Sequence, residues 1–120
     1  MAITNMKRIL IVEDNPFFLQ FLKETLHLRL PSIDMLEAAN GEEAMQKIKA
    51  LPPEAILMDL RLPGENGLEL TRKIKALYPN IIIVILTNYD LPEYREAAYH
   101  SGGWTISFRR TPSSVSSVPF

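Results

Sequence analysis

The chain has 120 residues, 47% of them hydrophobic, no cysteine and a formal net charge of −1. That length suits one domain with a real core, and the missing cysteines exclude a disulfide framework, a thiolate nucleophile and Cys-bound zinc. The near-neutral charge gives no general attraction to nucleic acid or anionic lipid.

Residues 1–7 carry no hydrophobic signal core, and no apolar run approaches the roughly 20 residues of a membrane span. A cytoplasmic protein without membrane contact is expected. Arg8-Ile9-Leu10-Ile11-Val12 reads as a buried strand that ends in two adjacent carboxylates, Glu13 and Asp14. Asn15-Pro16 looks like a helix start, with Asp14 or Asn15 as N-cap, and Phe17, Phe18, Phe21, Leu22, Leu26 and Leu30 recur at helical spacing. His27 lies in that helix as a surface or boundary residue; it and His100 are too isolated for a metal cluster.

After Pro31-Ser32, residues 33–39 alternate weakly, as a short and more exposed strand does. Asn40-Gly41 turns the chain into a helix over 42–51 with Ala44, Met45 and Ile48 inward, and Pro52-Pro53 stops it. Ala55-Ile56-Leu57-Met58 runs without alternation into Asp59, the pattern of a strand buried on both faces. A Pro/Gly-rich loop, Pro63 to Gly67, leads to a helix over about 67–77 that buries Leu68, Leu70, Ile74 and Leu77. Residues 81–86 are the most strand-like run in the chain and end at Thr87. Asp90-Leu91-Pro92 starts a helix that continues over Glu93 to His100, with Tyr94, Ala97 and Ala98 on one side. Trp104 to Phe108 is a last strand. Residues 111–120 contain four Ser, two Pro and two Val without a helical stripe. The expected organisation is one domain over 1–110, then a loose tail over 111–120, with no output domain in the chain.

Strands alternating with helices give an α/β fold with a parallel sheet and right-handed crossovers. The first, third and fourth strands then deliver Glu13, Asp14, Asp59 and Thr87 to one edge, where open α/β sheets build their ligand sites. A lone Asp59 at that place is equally well a turn or cap residue. Three clustered carboxylates ionise reluctantly unless a cation joins them, and Mg²⁺ suits oxygen ligands that leave room for a phosphoryl oxygen. A carboxylate so screened can act as a nucleophile toward phosphorus, and a hydroxyl at Thr87 can hydrogen-bond the product. No GxxxxGK[ST], GxGxxG or GxSxG pattern is present.

Glu13-Asp14 after the first strand, Met58-Asp59-Leu60-Arg61-Leu62-Pro63-Gly64 with Asn66-Gly67, and Leu86-Thr87-Asn88 together resemble the receiver domain of two-component response regulators, over about residues 7–103. Residues 55–102 are most similar to receivers joined to helix-turn-helix output domains. The resemblance implies a (βα)5 flavodoxin-like three-layer sandwich with a five-stranded parallel sheet. It implies that Asp59 accepts phosphate from a sensor histidine kinase. Glu13, Asp14, Asp59 and the backbone carbonyl of Arg61 hold Mg²⁺, directly or through water, and Thr87 is the switch hydroxyl. Arg61 and Tyr89 fall at positions where the family tunes self-dephosphorylation. Self-directed phosphotransfer, not turnover of a separate substrate, is the expected chemistry. A Mg²⁺-dependent phosphatase is disfavoured, because that class wants a second aspartate where Arg61 stands.

The chain departs from the family pattern after Gly102. The position of the family's phosphoryl-binding lysine holds Arg109, and that of its switch aromatic holds Thr105. Arginine is no simple replacement for an ammonium in a tight site. A phosphorylation-independent binding module that keeps the fold is the alternative reading. The genetic code also allows the codons of residues 104–110 to be re-read, from the last base of the Trp104 codon, as Asp-Tyr-Phe-x-Ser-Lys-Asp. That is the expected strand in a shifted frame, and sequencing the gene tests it. With the final helix missing or irregular, apolar strand faces are left open, and lower stability or homodimerisation is expected.

Overall fold

The computed structural model of the chain describes residues 6–62, 64–87, 92–100 and 103–107. Its elements in order are β1 (Arg8–Val12), α1 (Pro16–Arg29), β2 (Asp34–Ala38), α2 (Gly41–Ala50), β3 (Ala55–Asp59), β4 (Arg61–Leu62), β5 (Glu65–Asn66), α3 (Gly67–Leu77), β6 (Ile82–Thr87), α4 (Pro92–His100) and β7 (Trp104–Ser107). Five strands form one parallel sheet in the order β2-β1-β3-β6-β7. The expected α/β class and parallel five-stranded sheet are therefore present. β4 and β5 make a separate two-residue antiparallel ladder.

Side chains alternate across the sheet, and the core divides accordingly. Leu10, Val12, Ile56, Met58, Ile83 and Ile85 point to one face, packed with Ala44 and Ile48 of α2 and Leu70 and Ile74 of α3. Ile9, Ile11, Ala55 and Leu86 point to the other, packed with Phe18 and Leu22 of α1. Crossover handedness explains this division. β1 to β2 steps toward one edge, whereas every later crossover steps toward the other, so right-handed connections place α1 on one face and α2, α3 and α4 on the opposite one.

The first three helices each begin at an asparagine whose side chain satisfies free amides of the first turn. Asn15 Oδ1 accepts from Phe17 N at 2.9 Å and Phe18 N at 3.1 Å, so of the two expected caps of α1 it is Asn15 that caps. Asn40 accepts from Glu43 N at 2.9 Å, and Asn66 accepts from Leu68 N at 2.7 Å. The expected buried stripe of α3 holds for Leu70 and Ile74 but fails at Leu77, which is 65% exposed. Leu77 is in phase with Leu70 and Ile74, but α3 ends there and Tyr78 is its C-cap, next to the turn that leads back into β6. Phe17, grouped with the apolar face of α1, is 85% exposed. The start of α4 at Asp90-Leu91, the domain end at 110 and the 111–120 tail lie outside the described residues, as do Arg109 and Tyr89.

Candidate phosphoryl-acceptor and metal site

The site sits at the carboxyl ends of β1 and β3, adjacent central strands held in register by Ile9↔Ala55 through Val12↔Met58. Glu13 follows Val12 and Asp59 follows Met58, so the register puts both carboxylates at one rim. The Glu13 backbone N–H donates to Ala38 O at 2.9 Å, continuing the β1–β2 ladder one step past its last pair. Glu13 is 2% exposed and Asp59 6% exposed, while Asp14 faces solvent. One oxygen from each of Glu13, Asp14 and Asp59 lies within 4.8 Å of the others, a spacing at which the three could hold one metal ion.

Backbone amides orient two of these groups. Asn15 N donates to Glu13 Oε2 at 3.0 Å, so the amide of the residue that caps α1 also fixes a site carboxylate. Arg61 N donates to Asp59 Oδ1 at 3.2 Å. Two negative charges within 4.8 Å of each other repel by about 3 kcal/mol or more at an effective dielectric near 20. Their donor set is all oxygen and all anionic, which fits a hard divalent cation such as Mg²⁺.

The loop after Asp59 is built tightly. Leu60 N donates to Leu86 O at 3.0 Å, and Gly67 N donates to Leu60 O at 2.9 Å. A Cβ on Gly67 would lie 2.7 Å from Asp59 O and 3.0 Å from Leu60 Cα and O, so only glycine lets α3 begin against the end of β3. Between them β4 and β5 fold back on each other, with Gly64 at φ +73° in the turn. Thr71, fully buried, donates through Oγ1 to Gly67 O at 2.8 Å and approaches Met58 Sδ at 3.7 Å, which ties α3 to β3 immediately behind Asp59. The sequence placed Gly67 between the loop and the helix, and a glycine directly after Asn66 was the only trace of this close approach.

Thr87 ends β6 one residue beyond Leu86, the register partner of Asp59, so its backbone reaches the same rim. Glu13, Asp14 and Asp59 are thus brought together, and Thr87 is placed beside them at the level of the main chain. Arg61 opens β4, opposite Asn66, and is exposed. Arg109 lies outside the described residues. A depression of about 480 Å³, lined in part by Glu13, Asp14, Glu37, Glu43 and Lys47, opens beside the acidic cluster.

Residues 9–107 match the response regulator receiver domain family. The chain is 32% identical over 97 residues to the transcriptional regulatory protein YvfU of Bacillus subtilis (strain 168), which covers 81% of this chain and 48% of that protein. It is 41% identical over 58 residues to a protein-glutamate methylesterase/protein-glutamine glutaminase of Vibrio parahaemolyticus, covering 47% of this chain and 15% of the other. The chain therefore spans half or less of the length of these relatives. Among solved structures it is similar to a LuxR-family two-component response regulator from Aurantimonas sp. SI85-9A1, with a TM-score of 0.76, 28% identity and coverage of 82% of this chain and 70% of that one. It is also similar to the chemotaxis response regulator CheY4 of Vibrio cholerae, with a TM-score of 0.75, 25% identity and coverage of 88% and 90%. In the described residues no helix is long and apolar enough to cross a membrane. The acidic triad at the carboxyl rim of a β2-β1-β3-β6-β7 sheet and these matches agree: the chain belongs to the response regulator receiver domains of two-component signalling.

Proposed function

We propose that Asp59 is the phosphoryl acceptor of this domain, with a sensor histidine kinase as donor, Mg²⁺ as cofactor and the cytoplasm as location. The observation that carries the reading is the approach of Glu13, Asp14 and Asp59 oxygens to within 4.8 Å at the end of adjacent central strands. Asp59 ends β3, the middle strand of the five, is nearly buried and has one oxygen held by the Arg61 amide. In the proposed step, a carboxylate oxygen of Asp59 attacks phosphorus of a phosphohistidine. The P–O bond forms as the P–N bond breaks, and the leaving imidazole takes up a proton. Glu13 and Asp14, with Asp59 and the Arg61 carbonyl, would hold Mg²⁺, which when bound neutralises the acidic cluster and the incoming phosphoryl oxygens. The Thr87 hydroxyl is assigned as the group that binds the new phosphoryl oxygen, and Arg109 as a second, weaker candidate at the family's lysine position. The chemistry is self-directed: the domain forms and loses its own acyl phosphate, and it signals through that change rather than by turning over a substrate.

A phosphorylation-independent binding module is the second reading, and Thr105 with Arg109 at the two switching positions is what favours it. One experiment separates the two. The protein is incubated with acetyl phosphate and Mg²⁺ and its intact mass is measured. A gain of one phosphoryl group that disappears in Asp59→Asn and on chelation of the metal supports the acceptor; an unchanged parent mass favours the binding module.

A further inference from the structure

We infer that Glu65 is a positioning residue for the acidic site, setting the main chain at Arg61 through the β4–β5 ladder. The inference rests on the reading of Glu13, Asp14 and Asp59 as a metal-assisted acceptor site. Arg61 supplies the amide that donates to Asp59 Oδ1 at 3.2 Å, and its carbonyl is the one assigned to Mg²⁺. The strand that Arg61 opens pairs through two rungs, Arg61↔Asn66 and Leu62↔Glu65. A ladder that short does not hold its own position in water, so its anchors decide where Arg61 lies. Leu62 is one anchor, buried in the core with Leu70 and Ile74. Glu65, across the rung from it, is a second.

The Glu65 carboxylate is engaged from two sides. Its Oε2 accepts from Lys73 Nζ, in the second turn of α3, at 2.9 Å. Its Oε1 occupies the space that a Cβ would take on Gly41, the first residue of α2, so the glycine admits the carboxylate against the start of that helix. The positive end of the helix dipole favours an anion there. The Glu65 side chain is 21% exposed, against 62% for Lys73. An ion pair with so open a lysine adds little stability of its own. What it adds is direction, because Lys73 and Gly41 between them engage both oxygens of one carboxylate. α2 in turn follows closely on β2, where Ala38 O accepts the Glu13 amide at 2.9 Å. Glu65 thereby joins the segment that carries Asp59 and Arg61 to the one that holds Glu13.

Titration calorimetry of the full chain with Mg²⁺ alone, and exchange of the Arg61 amide followed by NMR, test this. Glu65→Ala and Gly41→Ala should each weaken Mg²⁺ binding about tenfold. Both should also speed exchange of the Arg61 amide relative to the amides of β1 and β3, with circular dichroism unchanged. Gly41→Ala keeps the Glu65 charge and moves only its position, since the atoms that its Cβ meets are the far end of a flexible side chain. The double variant should bind no more weakly than either single one, the signature of two residues acting through one contact. Glu69→Ala, which removes an exposed carboxylate from the first turn of α3, should bind Mg²⁺ as the parent does. Parental affinity in Glu65→Ala overturns the inference. So does a loss in Glu65→Ala with Gly41→Ala at the parental value, or an equal loss in Glu69→Ala, because either makes the effect one of charge alone. Losses that multiply in the double variant overturn it too. A parent that binds no Mg²⁺ instead removes the reading of the site, and the inference with it.

Discussion

Substituting Asp59 by Asn should stabilise the metal-free domain and abolish its response to Mg²⁺. In the parent, Glu13 and Asp59 hold charged oxygens within 4.8 Å of each other, both nearly buried. Their repulsion is about 3 kcal/mol at an effective dielectric near 20. The Asp59→Asn change removes one charge and keeps an oxygen for the Arg61 amide, so most of that repulsion is recovered, about 1–3 kcal/mol of added stability. For a chain of this size each kcal/mol shifts the melting temperature by about 3–5 °C, so the metal-free variant should melt about 3–15 °C above the parent. Mg²⁺ acts in the opposite sense across the pair. At about tenfold excess over its dissociation constant it should stabilise the parent by about 1.4 kcal/mol and the variant hardly at all. Thermal melts in chelator and in Mg²⁺, followed by circular dichroism, read both effects. A variant that melts at or below the parent without metal, beside a parent that Mg²⁺ does not move, would refute the claim that these carboxylates form one strained cation site.

Gly67→Ala should cost about 2–4 kcal/mol in a denaturant titration, because its Cβ meets backbone atoms of Asp59 and Leu60 that cannot swing away. Asn15→Ala should cost about 1 kcal/mol by the same assay through loss of the cap on the Phe17 and Phe18 amides. The backbone amides of Lys7 and Arg8, each 2.8 Å from Glu54 Oε1, hold the Glu54 carboxyl below its ordinary value of 4.5. A group lowered in the folded state contributes stability that is present above the unfolded value and lost as pH falls through the folded one. Melts of Glu54→Gln from neutral pH to below 4.5 should therefore lie below the parent at neutral pH and converge with it in acid.

The parallel sheet and its acidic rim were legible in the sequence because both rest on short-range signals. Unbroken apolar runs ending in Glu13-Asp14, Asp59 and Thr87 fix strand positions, and strand ends in a parallel sheet share an edge, so the site followed from the topology. Axial position is a different matter. Periodicity gives the angle of Leu77 around α3 and says nothing of where the helix ends relative to the layer beneath it. Phe17 shows the complementary failure: its stripe with Phe21 and Leu28 is at helical spacing, but it is the flank and not the floor of α1. The β4–β5 ladder is two residues long on each side and too short for any periodic signal, with Pro63-Gly64 alone announcing a turn. The fit of Gly67 against Asp59 is a contact between segments, and a glycine directly after Asn66 is its one local trace.

The central claim is that Asp59, among clustered acids, takes the phosphoryl group, and chemical trapping tests it most directly. The protein phosphorylated with Mg²⁺ present is reduced with borohydride, which converts an aspartyl phosphate to homoserine, and then digested and sequenced by tandem mass spectrometry. Homoserine at position 59 alone, absent when the metal is chelated, is the predicted result. Homoserine at position 14 or at another carboxylate, with position 59 unmodified, would contradict it.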